Sequence, residues 1–283
     1  CEINTNLSSI VKHNFTQLGC KHISCINDDG IAVLNSHKKN YFDAIYIDPS
    51  RRHDVKGKVF LLKDCLPDIT VHLDSFLEVT NTILLKVSPL LDIRNTLRDL
   101  RFVSEVHIVA IKNEVKELLI LIEKTKTEAN PTIKAVNLDG ANESSFSFRL
   151  NETYEVHYEN PKYYLYEPNN AILKSGGFNA VAKVYGLGKL AQHSHLYTSN
   201  ELIEFPGRSF EILDVVKFNK KVLKKQYGGS QVNITTRNFP KTVSVLRKEL
   251  QLKDGGNDYW FFTTLSDNQK VVIFCRKINH KTI

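Results

Sequence analysis

Residues 42–52 read FDAIYIDPSRR: an apolar run of strand composition stops at Asp48-Pro49, and two arginines follow. Proline has no N–H and holds the residue before it in extended backbone, so a strand over 42–47 ends there and the chain turns. Outward from this point, HISCI (22–26), ILLKVS (83–88) and EVHIVAI (105–111) are further short apolar runs. The spacing of apolar residues in SSIVKHNFTQLG, LDSFLEV and IRNTLRDLRF, which lie between them, is helical. Near-continuous apolar strands alternating with helices predict an α/β fold with a parallel sheet covered on both faces. ELLILIEK (117–124) follows EVHIVAIKN closely enough to make a final antiparallel hairpin.

A weakly apolar linker, TKTEANP (125–131), ends this unit, and three domains are expected over 1–127, 128–207 and 208–283. In the second, SFSFRL and TYEVHY read as strands, and KYYLYEPNNAILKSGGFNAVAKVYGLGKLAQ holds two helical stretches divided by Gly176 and Gly177. In the third the order is strand SFEIL, helix KFNKKVLKKQY, strand QVNITTR, helix KTVSVLRKEL, then strands DYWFFTTL and KVVIFCRK, a compact two-layer α/β arrangement. Trp260, Phe261 and Phe262 read as core strand residues rather than base-stacking platforms.

Composition narrows the function classes. A chain of 283 residues that is 42% hydrophobic can bury sizeable cores in more than one domain. No run approaches the roughly 18 apolar residues that cross a bilayer, and the first residues lack a signal-peptide pattern, so no membrane partner is expected. Five cysteines, an odd number without a CxxC pair, fit a reducing, cytoplasmic location. The chain has no Met and is therefore expected to be a fragment of a longer parent. Residues 205–283 hold 15 Lys or Arg against 6 Asp or Glu, a net +9, while residues 1–204 are at −2, which points to an anionic partner of the C-terminal part. His193 and His195 have no companion ligands nearby, so no metal is expected, and they read as loop polarity. Gly186-Leu187-Gly188-Lys189 lacks the spacing of a phosphate loop, and GxSxG and HExxH are absent.

Glu2, Asp29 in CINDDG and Asp48-Pro49 stand in an order that carries a resemblance: the first 125 residues resemble a class I S-adenosylmethionine-dependent methyltransferase, a Rossmann-like fold, from its second strand onward. The resemblance implies that Glu2 accepts hydrogen bonds from ribose hydroxyls. It further implies that Asp29, with Asp28 the adjacent alternative, meets the adenine amino group, and that Ile31 lies beside the ring. Asp48-Pro49-Ser50-Arg51-Arg52 stands where nucleic-acid and amino-group methyltransferases carry Asp/Asn-Pro-Pro. Asp48 is then the substrate-side residue with Pro49 beside it, and Arg51 and Arg52 are candidates to clamp a phosphate. Read alone, IDPSRR is equally an ordinary turn followed by solvated arginines. The glycine-rich loop that approaches the cofactor is absent before Cys1, so S-adenosyl-L-methionine is expected to bind the intact parent and this chain weakly or not at all.

YIDPSRR (46–52), YLYEPNNAILKSGGF (164–178), and FPGRSFEI with TTRNFPKTVSVLRKELQLKDGGNDYWFFTT carry a narrower resemblance. They are similar to a family of bacterial proteins in which such a methyltransferase domain precedes a small ferredoxin-like insert and a THUMP-like C-terminal domain. That resemblance implies structured RNA as partner. The residues give separate support: Lys217, Lys220, Lys221, Lys224 and Lys225 crowd one helix, and Arg237, Lys241, Arg247 and Lys248 lie on the next strand and helix. A solvated helical face would carry the same lysines. Ser88-Pro89 occupies the place where carbon-5 pyrimidine methylation needs a cysteine nucleophile, so transfer to a base nitrogen is expected. The expected function is RNA base methylation by the intact parent, this chain alone not being competent. The alternative is a non-catalytic RNA-binding protein on a degenerate methyltransferase scaffold, consistent with Ser50-Arg51 in place of a Pro-aromatic pair.

Overall fold

The chain leaves its first strand, β1 (Ile45–Ile47), at the Asp48-Pro49 step, as the proline dictates, and enters β2 (Ser50–Arg51), which pairs antiparallel with β3 (Cys65–Leu66). This computed structural model describes residues 1–51, 61–126 and 130–278. Contacts divide the chain into one unit of Cys1–His107 with Glu117–Pro131 and a second of Ile108–Lys116 with Thr132–Ile283. No described helix is long and apolar enough to cross a membrane.

In the first unit α1 (Thr5–Gln17) and α2 (Gly30–Asn35) precede β1. After β3 come α3 (Ile69–Val79), β4 (Thr82–Val87), α4 (Ile93–Arg98), β5 (Val103–Ile111) and β6 (Glu114–Glu123). Asp68 caps α3 by accepting from the Thr70 N–H, and Ile69, Leu73, Phe76 and Leu77 follow at helical spacing and are buried. The spatial order β1-β4-β6-β5 places the last strand inside the sheet. β1 runs parallel to β4, and β6 antiparallel to it, Leu85 opposite Ile120. Lys112 and Asn113, at φ 50° and 64°, make the two-residue turn that joins β5 to β6 as the expected hairpin.

Two expectations are corrected here. The sheet is mixed, and burial alternates along β4 and β6, with Ile83, Leu85, Val87, Leu118, Ile120 and Ile122 buried and their neighbours only half-buried. Continuous apolar runs therefore do not signal a sheet covered on both faces: Leu84, Leu119 and Leu121 stay half-buried. HISCI is no strand, because among the described residues its backbone finds no ladder partner apart from the Glu2 N–H donating to the Ile26 carbonyl, and Ile23 and Ile26 remain exposed.

In the second unit β7 (Thr132–Asp139) and β8 (Asn142–Arg149) form a hairpin. Then follow β9 (Tyr164–Pro168), α5 (Asn170–Ser175), α6 (Phe178–Tyr185), β10 (Gly188–Lys189) and β11 (Tyr197–Ser199). Gly176, at φ 75°, ends α5 in the left-handed conformation that glycine adopts without strain, so the two helices are divided where the sequence reading divides them. TYEVHY is not a strand; among the described residues its backbone pairing is a single bridge from Tyr158 to Lys189. β12 (Gly207–Lys217), α7 (Lys220–Tyr227), β13 (Gln231–Arg237), α8 (Val243–Leu250), β14 (Lys253–Thr264) and β15 (Lys270–Ile278) complete the chain in the expected order.

The strands from β9 to β15 join one seven-stranded sheet, β10-β11-β9-β12-β15-β14-β13. One core cluster unites Leu165, Leu190 and Leu196 with Phe210, Phe261 and Ile273; the other sets Leu223, Leu246 and Leu250 of α7 and α8 against Trp260, Phe262 and Phe274. Sheet and first cluster run unbroken across residue 206, so the segments on either side share one core. Phe210 is fully buried in it, and Phe210→Ala should cost about 3–5 kcal/mol of stability. In urea unfolding followed by hydrogen exchange, amides of β9 and of β14 should lose protection in one transition; two separate transitions would show independent modules.

Candidate functional site

Parallel β1 and β4 present their carboxyl ends on one side, where loops can face a ligand. Asp48 follows β1 there, and Lys86 is the penultimate residue of β4. Lys86 Nζ lies 2.6 Å from Asp48 Oδ2 and 3.6 Å from Glu117 Oε1. The Asp48 side chain is 50% exposed and that of Lys86 26%, so the group borders solvent. The Asp48 hydrogen bond raises the Lys86 pKa above the ordinary lysine value, against a small opposing effect of burial. Sequence reasoning missed Lys86 and Glu117. The signal was a lone lysine between Leu85 and Val87 in an otherwise apolar strand, a charge that needs a partner. Arg51 ends β2, but its side chain and all of Arg52 lie outside the described residues, as does the phosphate clamp expected of them.

Glu2, Asp28, Asp29 and Ile31 are brought together. The Asn27 amide donates to the Glu2 carbonyl at 2.8 Å, and a Cβ on Gly30 would stand 3.6 Å from that of Cys1. Glu2 Oε1 accepts from the Asn4 N–H at 2.7 Å. Asp29 caps α2 by accepting from the Ile31 N–H at 3.0 Å, and Asp28 Oδ1 accepts from the Asp29 N–H at 2.8 Å. Each carboxylate thus spends one oxygen locally and keeps the other open among the described residues. Acceptor oxygens on Glu2 and Asp29 and the half-buried apolar side chain of Ile31 suit ribose hydroxyls, an amino group and an aromatic ring face. Among the described residues no hydrogen bond or ion pair joins this group to Asp48.

The basic residues of the second unit divide into two sets. Lys220 and Lys241 both pair with Glu249, at 3.2 and 2.5 Å, which lowers the Glu249 pKa. Arg247 pairs with Asp254 and donates to the Val232 and Lys253 carbonyls. Arg237 donates from Nε and Nη2 to Glu167. Lys217, Lys221, Lys224, Lys225 and Lys248 have no such partner among the described residues and are exposed. α7 explains the difference: Leu223 faces the core, Tyr227 meets Trp260 edge-on, and Lys221, Lys224 and Lys225 project from the remaining surface.

A cavity of about 620 Å³ in the same unit is lined by Glu155, Glu159 and Glu201 together with Lys162, which pairs with Glu159, and Lys183. The HxH stretch is more than loop polarity. His195 stacks on Phe178 at 3.5 Å between centroids, its Nδ1 is buried with no hydrogen-bond partner among the described residues, and burial followed by the nearby cations Lys189 and Arg237 pushes its pKa down to about 4.

The Asp48–Lys86 pair has a direct readout. Because the Lys86 pKa is raised on folding, the stability that Lys86 gains from its protonated form is complete below pH 10.5 and is lost as pH rises through the raised value. Asp48→Asn should return the Lys86 titration toward that of an ordinary lysine, followed by the carbon shift of its Cε; an unchanged midpoint would show that the two groups do not interact.

Set against known proteins, residues 164–206 match a ferredoxin-like domain and residues 207–277 a THUMP-like domain. No curated protein matches the chain. A crystal structure described as a "putative methyltransferase from Porphyromonas gingivalis W83" matches at 32% identity and a TM-score of 0.86, covering 98% of this chain and 71% of that one. With that identity and coverage, the chain belongs to the same family of methyltransferase-like proteins, carrying a ferredoxin-like and a THUMP-like domain.

Proposed function

We propose that the chain is the substrate-side and RNA-recruiting part of an S-adenosylmethionine-dependent methyltransferase that modifies a base nitrogen in structured RNA. The observation that carries this reading is the Asp48–Lys86 pair at the carboxyl ends of parallel strands, in a chain whose other unit presents unpartnered lysines. Five free cysteines fit a reducing, cytoplasmic setting.

Glu2 and Asp29 would hold the cofactor by its ribose and amino group, with Ile31 against the ring and Asp28 beside them. When bound, the cofactor supplies an activated methyl group. Methyl transfer is an in-line displacement whose rate depends mainly on orientation, so the protein has few acid-base tasks. Lys86 fixes Asp48 Oδ2 and leaves Oδ1 to accept a hydrogen bond from the target amino group. That bond would aim the nitrogen lone pair and stabilise the positive charge that grows on nitrogen as the methyl carbon exchanges its bond to sulfur for one to nitrogen, the surplus amino proton then leaving to solvent. Pro49 holds the backbone of this corner rigid.

RNA would lie against Lys221, Lys224, Lys225, Lys248 and Lys217, whose charges are not spent on carboxylates. Lys220, Lys241 and Arg247 support this face from within their ion pairs. A second reading, a scaffold that binds RNA without catalysis, draws on the same Asp48–Lys86 pair, because Lys86 already occupies one carboxylate oxygen.

The test is methyl transfer from labelled S-adenosylmethionine to bulk RNA by the full-length protein. Asp48→Ala should reduce transfer by ~100-fold or more while leaving RNA retention on a filter unchanged. Retention by the wild type without any transfer would favour the scaffold, and unaltered transfer by the variant would remove Asp48 from its role.

A further inference from the structure

Glu167 of β9 is the most deeply buried carboxylate of the described ion pairs, its side chain 4% exposed, and it binds two guanidinium groups at once. Arg208 of β12 reaches Oε2 from Nε at 2.8 Å and from Nη2, and Arg237 at the end of β13 reaches Oε1 from Nε at 3.1 Å and from Nη2 at 2.8 Å. Both arginines spend the same edge. Their Nη1 groups have no partner among the described residues, and the two side chains are 38% and 31% exposed. The Arg208 guanidinium also lies over the Phe210 ring, 5.4 Å from its centroid, which fixes its plane.

A further buried cation lies on the opposite face of this part of the sheet, where Lys189 pairs across to Tyr197 and Tyr197 to Tyr166. Lys189 is 2% exposed, and its Nζ donates to Asn179 Oδ1 at 3.2 Å and to the Gln192 carbonyl at 2.8 Å, neutral acceptors both. Burial first, then the fields of Lys189, Arg237 and His193, depress the His195 pKa. One carboxylate therefore binds two guanidinium groups, and the surplus is positive. As a staple alone this is a poor device, since burying a carboxylate and its partners costs desolvation that apolar side chains would avoid. As a preset pair of forks it is apt: a buried carboxylate on the inner edge of each guanidinium leaves the outer edges aimed and ordered for the oxygens of a second, tetrahedral anion.

We propose that Arg208 and Arg237, positioned by Glu167, form a clamp for one phosphate group of the bound RNA. The inference rests on the RNA reading above and adds a fork-shaped contact to the exposed lysines of α7. The lysines attract the polyanion, and the clamp sets where its backbone registers.

Two probes separate the clamp from the RNA reading: inorganic phosphate, titrated calorimetrically and by the Nε resonances of the labelled wild-type arginines, and bulk transfer RNA. Arg208→Lys and Arg237→Lys keep the charge and lose the fork. Each should weaken phosphate and RNA binding about tenfold, the loss of a charge-assisted hydrogen bond, with thermal unfolding still cooperative. Should either variant fail to fold, the wild-type arginine resonances still decide, since phosphate in the clamp must shift those of Arg208 and Arg237. RNA binding that survives both substitutions, with no phosphate shift at either arginine, overturns the clamp and leaves the RNA reading intact. Phosphate shifts without RNA binding keep the clamp and overturn its RNA occupant.

Discussion

A carboxylate removed from water must be paired, and the second unit is arranged around that requirement at Glu167. Arg208 meets it as a register partner on the neighbouring strand, but Arg237 belongs to β13, four positions away in the sheet order. In a flat sheet those strands would be about 19 Å apart, beyond the joint reach of the two side chains. The pair therefore exists only because the sheet curls, and the curl encloses Leu165, Leu190, Leu196, Phe210 and Phe261 in one cluster. Here the core and the ion triad impose the same geometry, which is why Arg237 is a fixed group while the lysines of α7 are not.

The same logic separates the basic residues by task. Charges near an acidic side chain settle into pairs, as Lys220 and Lys241 do with Glu249, and their fields are partly cancelled. Lys221, Lys224 and Lys225 lie on a helix with no acidic residue in it and keep their full charge. Net charge alone overstates the number of cations ready for a polyanion; the ion-pair map shows which remain.

How far the fold was legible follows from where its causes lie. Local causes were readable: Asp48-Pro49 ended β1, Gly176 divided α5 from α6, and the alternation after residue 207 gave the strands and helices of the THUMP-like domain in order. HISCI and TYEVHY failed because a strand needs a partner, and partners are set by the tertiary fold. β6 looked like any apolar strand, yet it lies between β4 and β5, an insertion no local pattern records. At the candidate site Glu2, Asp29 and Asp48 were named from their order along the chain. Lys86 and Glu167 were not named for what they do, although each was visible as a lone charge among apolar strand residues. What the sequence lacked was the identity of the opposite charge, which in both cases comes from another strand.

The account turns on the acidic group at Glu2 and Asp29 being a cofactor site. Calorimetric titration of S-adenosylmethionine into the full-length protein and into its Glu2→Ala and Asp29→Ala variants tests this most directly. One saturable site, weakened about tenfold by each substitution as a charge-assisted hydrogen bond is lost, is the predicted result. No binding to the full-length protein, or binding indifferent to both substitutions, would contradict it.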